Sequence, residues 1–145
     1  MMKYKFKLQK LLDMRIDKED ESKIEFQKAQ SERLEIKEKL TQLEENYNKY
    51  KNRPLPASAI DQKITHIYIN ALDYNINETS KDLNKKEKIV DEKRDKLKQR
   101  QIDRKTVEIL KDKGYGAFVK EQNRIEQKLN DEFALYGFIR NLGAR

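Results

Sequence analysis

Apolar side chains recur every seven residues in two separate blocks of this chain. The first block contains two interleaved ladders, which are Leu12, Glu19, Phe26, Arg33, Leu40 and Tyr47, and Leu8, Arg15, Ser22, Ala29, Ile36, Leu43 and Tyr50. The ladders of the second block are Ile69, Ile76, Leu83, Val90, Leu97 and Arg104, and Thr65, Leu72, Thr79, Lys86, Lys93, Arg100 and Val107. Alternating steps of three and four residues place both ladders on one stripe of a helix, so each block predicts a coiled-coil helix.

The stretch NRPLPASAID separates the two blocks and contains both prolines of the chain. Proline lacks a backbone donor and biases the preceding residue toward extended geometry, so the first helix must end there. Ser58 or Asp61 can cap the helix that follows. The predicted elements are helix 1 over about 5–52, a loop over 53–58, helix 2 over about 59–113 and a helical extension over about 117–141.

Gly114 and Gly116 lie between helix 2 and the extension, and each costs roughly 1 kcal/mol in a helix interior. The helix can therefore bend or fray at the glycines and resume after them, or it can continue through them. The predicted fold class is therefore all-α: a long two-helix antiparallel coiled-coil hairpin with a C-terminal helical extension, forming one domain over residues 1–145.

The position of the turn also predicts which residues face each other. If the helices fold back about residue 56, partner numbers sum to about 112, which pairs Leu43 with Ile69 and Ile36 with Ile76. The same arithmetic places Glu19 opposite Lys93. The two side chains could form a partly buried ion pair, or the seam could be loosely packed and hydrated there, with the carboxylate and the ammonium group both reaching water.

Composition argues against a catalytic site. The chain has 41% charged and 36% hydrophobic residues, no cysteine and one histidine, His66. No glycine-rich phosphate loop or metal-binding motif occurs, so we predict no catalytic residue, no cofactor, no metal and no enzymatic activity. No apolar run approaches the roughly 18 residues of a membrane span, so we expect a cytoplasmic protein without membrane insertion.

Charge and aromatic residues are unevenly distributed. Residues 1–18 and 85–105 together carry a net charge of +9, whereas the region around the turn is mildly acidic and rich in tyrosine. The hairpin should therefore have a basic end at its termini and an aromatic end at its loop. Exposed tyrosine and leucine are typical contacts for a protein partner, although these side chains could instead thicken the seam near the turn.

Two alternative functions follow from the same features. The run KKEKIVDEKRDKLKQRQIDRK could form a nucleic-acid-binding rod, but its interleaved acidic residues are more typical of a solvated helix face. A general coiled-coil scaffold, homodimerising through the C-terminal helix, is the other alternative. We favour a protein partner and predict no nucleic-acid partner.

Both ends of the chain resemble a known family. The opening YKFKLQKLLDMR and the closing EQNRIEQKLNDEFALYGFIR are similar to the corresponding parts of FliJ, a flagellar protein-export component. The resemblance implies a small antiparallel coiled coil, similar to the central stalk of rotary ATPases, whose terminal end enters the flagellar export ATPase ring. It also implies an opposite end that docks on the export gate protein FlhA, binding to export chaperones, and a peripheral location at the flagellar basal body, on the inner face of the cell membrane.

The resemblance and the charge pattern together name candidate contact residues. For the ATPase ring these are Leu8, Leu11, Leu12 and Arg15 by resemblance, and Arg100 and Arg104 by charge. For the export gate they are Leu43, Tyr50, Tyr68 and Leu72 by resemblance, and Tyr47 as a further loop-end tyrosine. Asn46 and Thr79 stand where the family's gate-binding stripe has other residues.

Overall fold

The computed structural model describes residues 2–143, which form two long helices and no strand. Helix α1 spans Gln9–Lys51 and helix α2 spans Ala59–Gly143. The helices pack against each other, which confirms the predicted all-α hairpin. Residues 1, 144 and 145 of the predicted domain lie outside the described residues. Contacts divide the chain into a terminal unit, made of the residues up to Asp17 and from Gln101 onward, and a loop unit, Lys18–Arg100.

The turn of the loop unit contains both prolines, which lie between the end of α1 and the start of α2. α1 ends at Lys51, and the backbone amide of Gln62 donates to the carbonyl of Ser58 at 3.0 Å, which places Ser58 at the N-cap position of α2. The Gln62 side chain also donates to the carbonyl of Pro56 at 2.7 Å. The loop therefore lies against the first turns of α2.

The seam of the loop unit consists of the predicted ladders. Every ladder position of both helices between Lys18 and Arg100 is buried or half-buried. The buried ones are Glu19, Ser22, Ala29, Leu72, Thr79 and Val90. Small and polar residues are frequent among these fully buried positions, so the bulky apolar ladder residues of the seam are mostly half-buried.

The register of the seam differs from the prediction. Lys86 Nζ lies 3.1 Å from Glu32 Oε2, and Lys93 Nζ lies 3.2 Å from Glu25 Oε2. The numbers of each pair sum to 118 rather than 112, so the predicted partnerships of Leu43 with Ile69 and of Ile36 with Ile76 are wrong by nearly one heptad. The predicted pairing of Glu19 with Lys93 is wrong for the same reason.

The turn geometry explains this shift. A slip of seven residues superimposes the ladders on themselves, so the heptads alone leave the register open. The predicted register requires a symmetrical turn about residue 56, whereas the loop folds along the first turns of α2. Tyr50, near the end of α1, therefore contacts Tyr68, with ring centroids 4.7 Å apart.

In the terminal unit, a non-helical segment precedes α1. Helix 1 begins at Gln9 and not near residue 5 as predicted, because Tyr4 is held against α2. The Tyr4 hydroxyl donates to the carbonyl of Lys111 at 3.3 Å. Its ring centroid lies 5.7 Å from that of Tyr115 and 5.6 Å from that of Phe118. These contacts fix the segment in a non-helical conformation against the helix.

Helix α2 continues without interruption through both internal glycines, so of the two alternatives the helix continues, and the boundaries predicted at about 113 and 117 are absent. A Cβ atom at Gly114 would collide with the Tyr4 hydroxyl, whereas one at Gly116 would meet nothing within 4 Å. Gly114 thus provides the space in which Tyr4 approaches the helix. The cost of two glycines is small for a helix of 85 residues.

The last part of α2 is exposed. All residues from Asn123 to Gly143 have exposed side chains. The large apolar ones are Ile125, Leu129, Phe133, Leu135, Tyr136, Phe138, Ile139 and Leu142. This density of exposed apolar residues exceeds what isolated surface positions explain and indicates a contact surface.

Candidate protein-binding surfaces

Aromatic rings and cations meet at the loop. The edge of one ring of the Tyr50–Tyr68 pair meets the face of the other at an interplanar angle of 73°. The guanidinium of Arg53 lies 4.5 Å from the Tyr50 ring centroid, and Lys51 Nζ lies 5.4 Å from that of Tyr47. We call these five residues the aromatic cluster. Rigid amphipathic rings beside cations supply both apolar area and hydrogen-bond donors, which suits a protein partner.

A small groove adjoins the aromatic cluster, with a volume of about 190 Å³. Its lining residues are Tyr50, Lys51, Arg53, Pro54, Leu55, Pro56, Thr65 and Ile69. Leu55 is exposed at its edge. The groove is large enough for one apolar side chain of a partner.

The predicted gate residues divide into exposed and buried ones. Tyr68 is 40% exposed and Leu72 only 4%. Leu43, Tyr47 and Tyr50 are half-buried in the seam. Tyr68 and the open edges of the half-buried rings are accessible to a partner, whereas Leu72 is part of the seam core.

The predicted leucines at the start of α1 also differ in exposure. Leu8 is 42% exposed, Leu11 is half-buried and Leu12 is buried in the seam of the terminal unit. Although one turn of helix separates Leu8 from Leu12, the two side chains have different environments. Of the three leucines, Leu8 is the most accessible to a partner.

The predicted basic residues are partly engaged within the chain. Arg15 Nη1 donates to the backbone carbonyl of Asp103 at 2.7 Å, and Arg104 Nη1 lies 2.7 Å from Glu108 Oε2. Arg100, in the loop unit, is half-buried. Arg15 and Arg104 therefore stabilise the helices of the terminal unit in addition to supplying charge.

Two lysines of α2 bind one carboxylate of α1. Glu25 Oε2 lies 3.2 Å from Lys93 Nζ and 3.4 Å from Lys96 Nζ. Hydrogen bonding and charge attraction, first from Lys93 and then from Lys96, hold the pKa of Glu25 below its ordinary value of 4.5. This arrangement links the helices in one register and makes that link sensitive to acid.

A second groove, which the sequence patterns did not predict, lies in the terminal unit between the N-terminal segment and α2. It has a volume of about 800 Å³. Its lining residues are Met2, Lys3, Tyr4, Tyr115, Phe118, Val119, Gln122, Asn123, Ile125, Glu126 and Leu129. The signal that could have indicated it was an aromatic residue ahead of α1 together with a glycine at a ladder position, Gly114.

Neither a metal site nor a membrane span is found in the described part of the chain. Among residues 2–143, no three His, Asp or Glu side chains converge to hold a metal ion. Neither helix, over the same residues, has an apolar stretch of the length and hydropathy that a bilayer crossing requires.

Comparison with known proteins shows the family. The sequence model of the flagellar FliJ protein matches residues 4–143. The flagellar FliJ protein of Bacillus subtilis (strain 168) is 27% identical over 147 aligned positions, which cover 95% of this chain and 97% of that protein. No solved structure matches the chain significantly. With the hairpin fold and the match over nearly its whole length, this chain belongs to the FliJ family of flagellar protein-export components.

Proposed function

We propose that this FliJ-family chain is a non-enzymatic central stalk of the flagellar export ATPase ring that also contacts the export gate protein FlhA and export chaperones. The observation that carries the proposal is the exposed apolar surface of α2 from Asn123 to Gly143. It lies in the terminal unit, which the family resemblance assigns to the ring. An apolar helix surface of this length needs a protein partner.

The ring contact combines apolar area with positive charge. Phe133 is 71% exposed, and Leu8 supplies further apolar surface. Residues 1–17 and 101–145 carry fourteen basic and nine acidic residues. Attraction to an acidic ring pore would speed docking and weaken with added salt. Leu12 and Arg15 contribute indirectly, by holding the helices together.

The gate contact uses the aromatic cluster. Tyr68 is accessible and is held by the ring of Tyr50. Because its partner ring fixes its position, Tyr68 loses little side-chain freedom on binding. Leu72 acts through the seam.

The mechanism is a bias of ring conformations. A two-helix stalk in a symmetric ring contacts only some subunits at a time, and it stabilises the conformation that binds it best. Contact with the stalk and the conformation of the subunit are coupled, and this coupling free energy favours the subunit conformation that promotes ring assembly or ATP hydrolysis.

A crossed experiment tests both contacts. Phe133→Ser combined with Leu8→Ser should reduce stimulation of the purified flagellar ATPase and leave binding to an FlhA cytoplasmic fragment unchanged. Tyr68→Ala should do the reverse, and a pull-down of export chaperones completes the set. The changed side chains are exposed, so circular dichroism should show unchanged helix content. Wild-type ATPase stimulation by the Phe133/Leu8 variant would contradict the stalk, and wild-type FlhA binding by Tyr68→Ala would contradict the gate contact.

A further inference from the structure

Two cations of the seam lie at the same level of the loop unit. Arg33 and Lys86 are ladder residues whose numbers sum to 119, which is also the sum of the buried residues Ala29 and Val90. Arg33 and Val90 line one small groove together with Glu87, which agrees with this level. The Nε atom of Arg33 is buried there and has no hydrogen-bond partner. Two like charges at one level of a coiled coil disfavour the register that brings them together.

Glu32 supplies a negative charge at this level. Its Oε2 atom lies 3.1 Å from Lys86 Nζ, and the side chains of Glu32 and Lys86 are 39% and 32% exposed. The pair is partly shielded from solvent, so its attraction is stronger than that of a fully exposed pair. Glu87, which lies nearby on α2, is exposed. Glu32 therefore offsets the repulsion between Arg33 and Lys86 in the observed register.

A slip of one heptad would separate the two cations. In the slipped register, the numbers of facing ladder residues sum to 112 instead of 119. Arg33 then faces the uncharged Thr79, and Lys86 faces the ring of Phe26, which attracts a cation. The slipped register therefore has no level at which Arg33 opposes another cation.

Apolar packing distinguishes the two registers only weakly. In the observed register, apolar or tyrosine ladder residues of the loop unit face each other at five levels, which are Ala29 with Val90, Ile36 with Leu83, Leu43 with Ile76, Tyr47 with Leu72 and Tyr50 with Ile69. In the slipped register they face each other at four levels, which are Ala29 with Leu83, Ile36 with Ile76, Leu40 with Leu72 and Leu43 with Ile69. Charges and loop contacts therefore have a large share in selecting the register.

The loop between the helices is long enough for both registers. The end of α1 at Lys51 lies level with about residue 67 in the observed register, about 12 Å along α2 from Ala59, and would lie level with about residue 60 in the slipped one. The loop over residues 52–58 can span about 23 Å when extended. The hydrogen bond from Gln62 to the carbonyl of Pro56 is exposed, so water can replace it during a slip.

The two cross-helix carboxylates respond differently to a slip. Glu25 exchanges Lys93 for Lys86, because the two lysines are one heptad apart, and so keeps one of its two ion pairs. Glu32 exchanges Lys86 for Thr79 and loses its only cross-helix ion pair among the described residues. The charge of Glu32 therefore distinguishes the two registers more strongly than the charge of Glu25.

We propose that the seam of the loop unit has two registers, one heptad apart, and that the charge of Glu32, together with the loop contacts, holds the observed one. Loss of this charge, or its capture by a partner, lets one helix move about 10 Å along the other. Tyr50 then leaves Tyr68, so the aromatic cluster exists in the observed register only. In the terminal unit, the hydrogen bond from Arg15 to Asp103 also fits the observed register, so the slipped register is the minor one. This inference is independent of the proposed function.

Disulfide trapping measures the balance between the registers, because the chain contains no cysteine of its own. Ala29→Cys with Val90→Cys reports the observed register, and Ala29→Cys with Leu83→Cys reports the slipped one. Leu83 and Val90 belong to the same ladder, so the two pairs have equivalent geometry. Glu32→Gln should raise the initial rate of the slipped disulfide about fivefold or more, because an ion pair is lost and the repulsion between Arg33 and Lys86 is no longer offset.

The matched control is Glu25→Gln, which should raise the same rate no more than about twofold, because Glu25 has a lysine partner in both registers. Ala29→Cys with Ile76→Cys, two heptads from the observed register, should stay uncross-linked in every background. Circular dichroism should show unchanged helix content. A Glu32→Gln rate no greater than that of Glu25→Gln would overturn the proposal, and so would an equal rise for the Ile76→Cys pair, which would indicate general loosening of the seam.

A second variant tests the repulsion itself. Arg33→Met removes one of the two like charges and keeps an unbranched side chain of similar length. Combined with Glu32→Gln, it should return the rate of the slipped disulfide to within about twofold of the wild-type background, since Lys86 then opposes no cation. A rate that stays as high as in Glu32→Gln alone would contradict the selection of the register by this level.

Discussion

Gly114 is the residue on which the position of the N-terminal segment depends. The Tyr4 hydroxyl occupies the space that a Cβ atom would need there. In return, the Tyr4 ring gains contacts with Tyr115 and Phe118. A helix-destabilising residue is thus tolerated at this position, because it admits a larger apolar contact.

Alanine substitutions at the two helical glycines should therefore have different effects. Gly116→Ala should stabilise the protein by about 1 kcal/mol, since it removes the entropy cost of glycine in open space. Gly114→Ala should gain less, because Tyr4 must leave its site. In a Tyr4→Phe background the hydroxyl is absent, and the two substitutions should become equivalent. Urea unfolding midpoints measure all six proteins. Equal gains at both glycines in the presence of Tyr4 would show that Tyr4 does not occupy this site in solution.

The cross-helix ion pairs of Glu25 predict a pH effect. Its pKa is lowered in the folded state, so its stabilising contribution is present above pH 4.5 and is lost as the pH falls through the folded value. In an NMR titration of the side-chain carboxyl groups, Glu25 should titrate below 4.5, and Lys93→Met should move its midpoint upward.

Glu121 is the internal control for this titration. Its pKa is lowered by Arg124 on the same helix, so Lys93→Met should leave it unchanged. An unchanged midpoint for Glu25 would mean that the ion pairs to α2 are not populated in solution.

At the scale of the helices, the register is the property that most needs a test. Ala29 and Val90 are both buried, and their numbers sum to 119, close to the sum of the observed ion pairs. A variant with cysteine at both positions should form an intramolecular disulfide under mild oxidation. The pair Ala29 and Leu83, which corresponds to the symmetrical turn and a sum of 112, should not. Preferential cross-linking of Ala29 with Leu83 would restore the symmetrical turn.

The helices and the seam could be predicted because heptad spacing and proline are local signals. The same ladders occupy the buried positions of the structure. The register could not be predicted, because a heptad slip is invisible in a heptad repeat, and the loop contacts that fix it, such as Gln62 with Pro56, have no sequence signature.

From the sequence alone, residues that contact a partner could be distinguished only in part from residues that form the seam. Leu12 and Leu72 lie on the ladders, and the family resemblance also names them as contacts, so the sequence alone left both roles open. Burial assigns both to the seam. The position of Tyr4 depends on a hydrogen bond to Lys111, 107 positions away along the chain, and no local sequence pattern predicts such a contact.

At the scale of the whole molecule, stability and exposed surface are unequally distributed along the chain. Truncation after Asn130 removes only exposed side chains among the described residues, so the thermal midpoint should fall by less than about 2 °C. Stimulation of the flagellar ATPase should be lost.

Deletion of Met2–Phe6 is the comparison, because it removes Tyr4 and its contacts in the terminal unit. It should lower the midpoint more than the longer C-terminal truncation. Differential scanning fluorimetry and an ATPase assay measure both properties. A truncated protein that melts well below the wild type would show that the last turns of α2 are needed for folding.

The contacts of Tyr4 with α2 also have a consequence for the order in which the chain folds. Contacts of the seam close chain segments of 54 residues at Lys86 and Glu32 and of 68 at Lys93 and Glu25, and the Tyr4 contact closes one of 107. Because the entropy cost of closing a segment rises with its length, contacts near the loop form first and those of Tyr4 form last. On the ribosome, Tyr4 is synthesised before the residues that bind it, so it has no docking site until Phe118 has emerged. The segment that contains Tyr4 therefore stays undocked until more than 100 further residues have been synthesised.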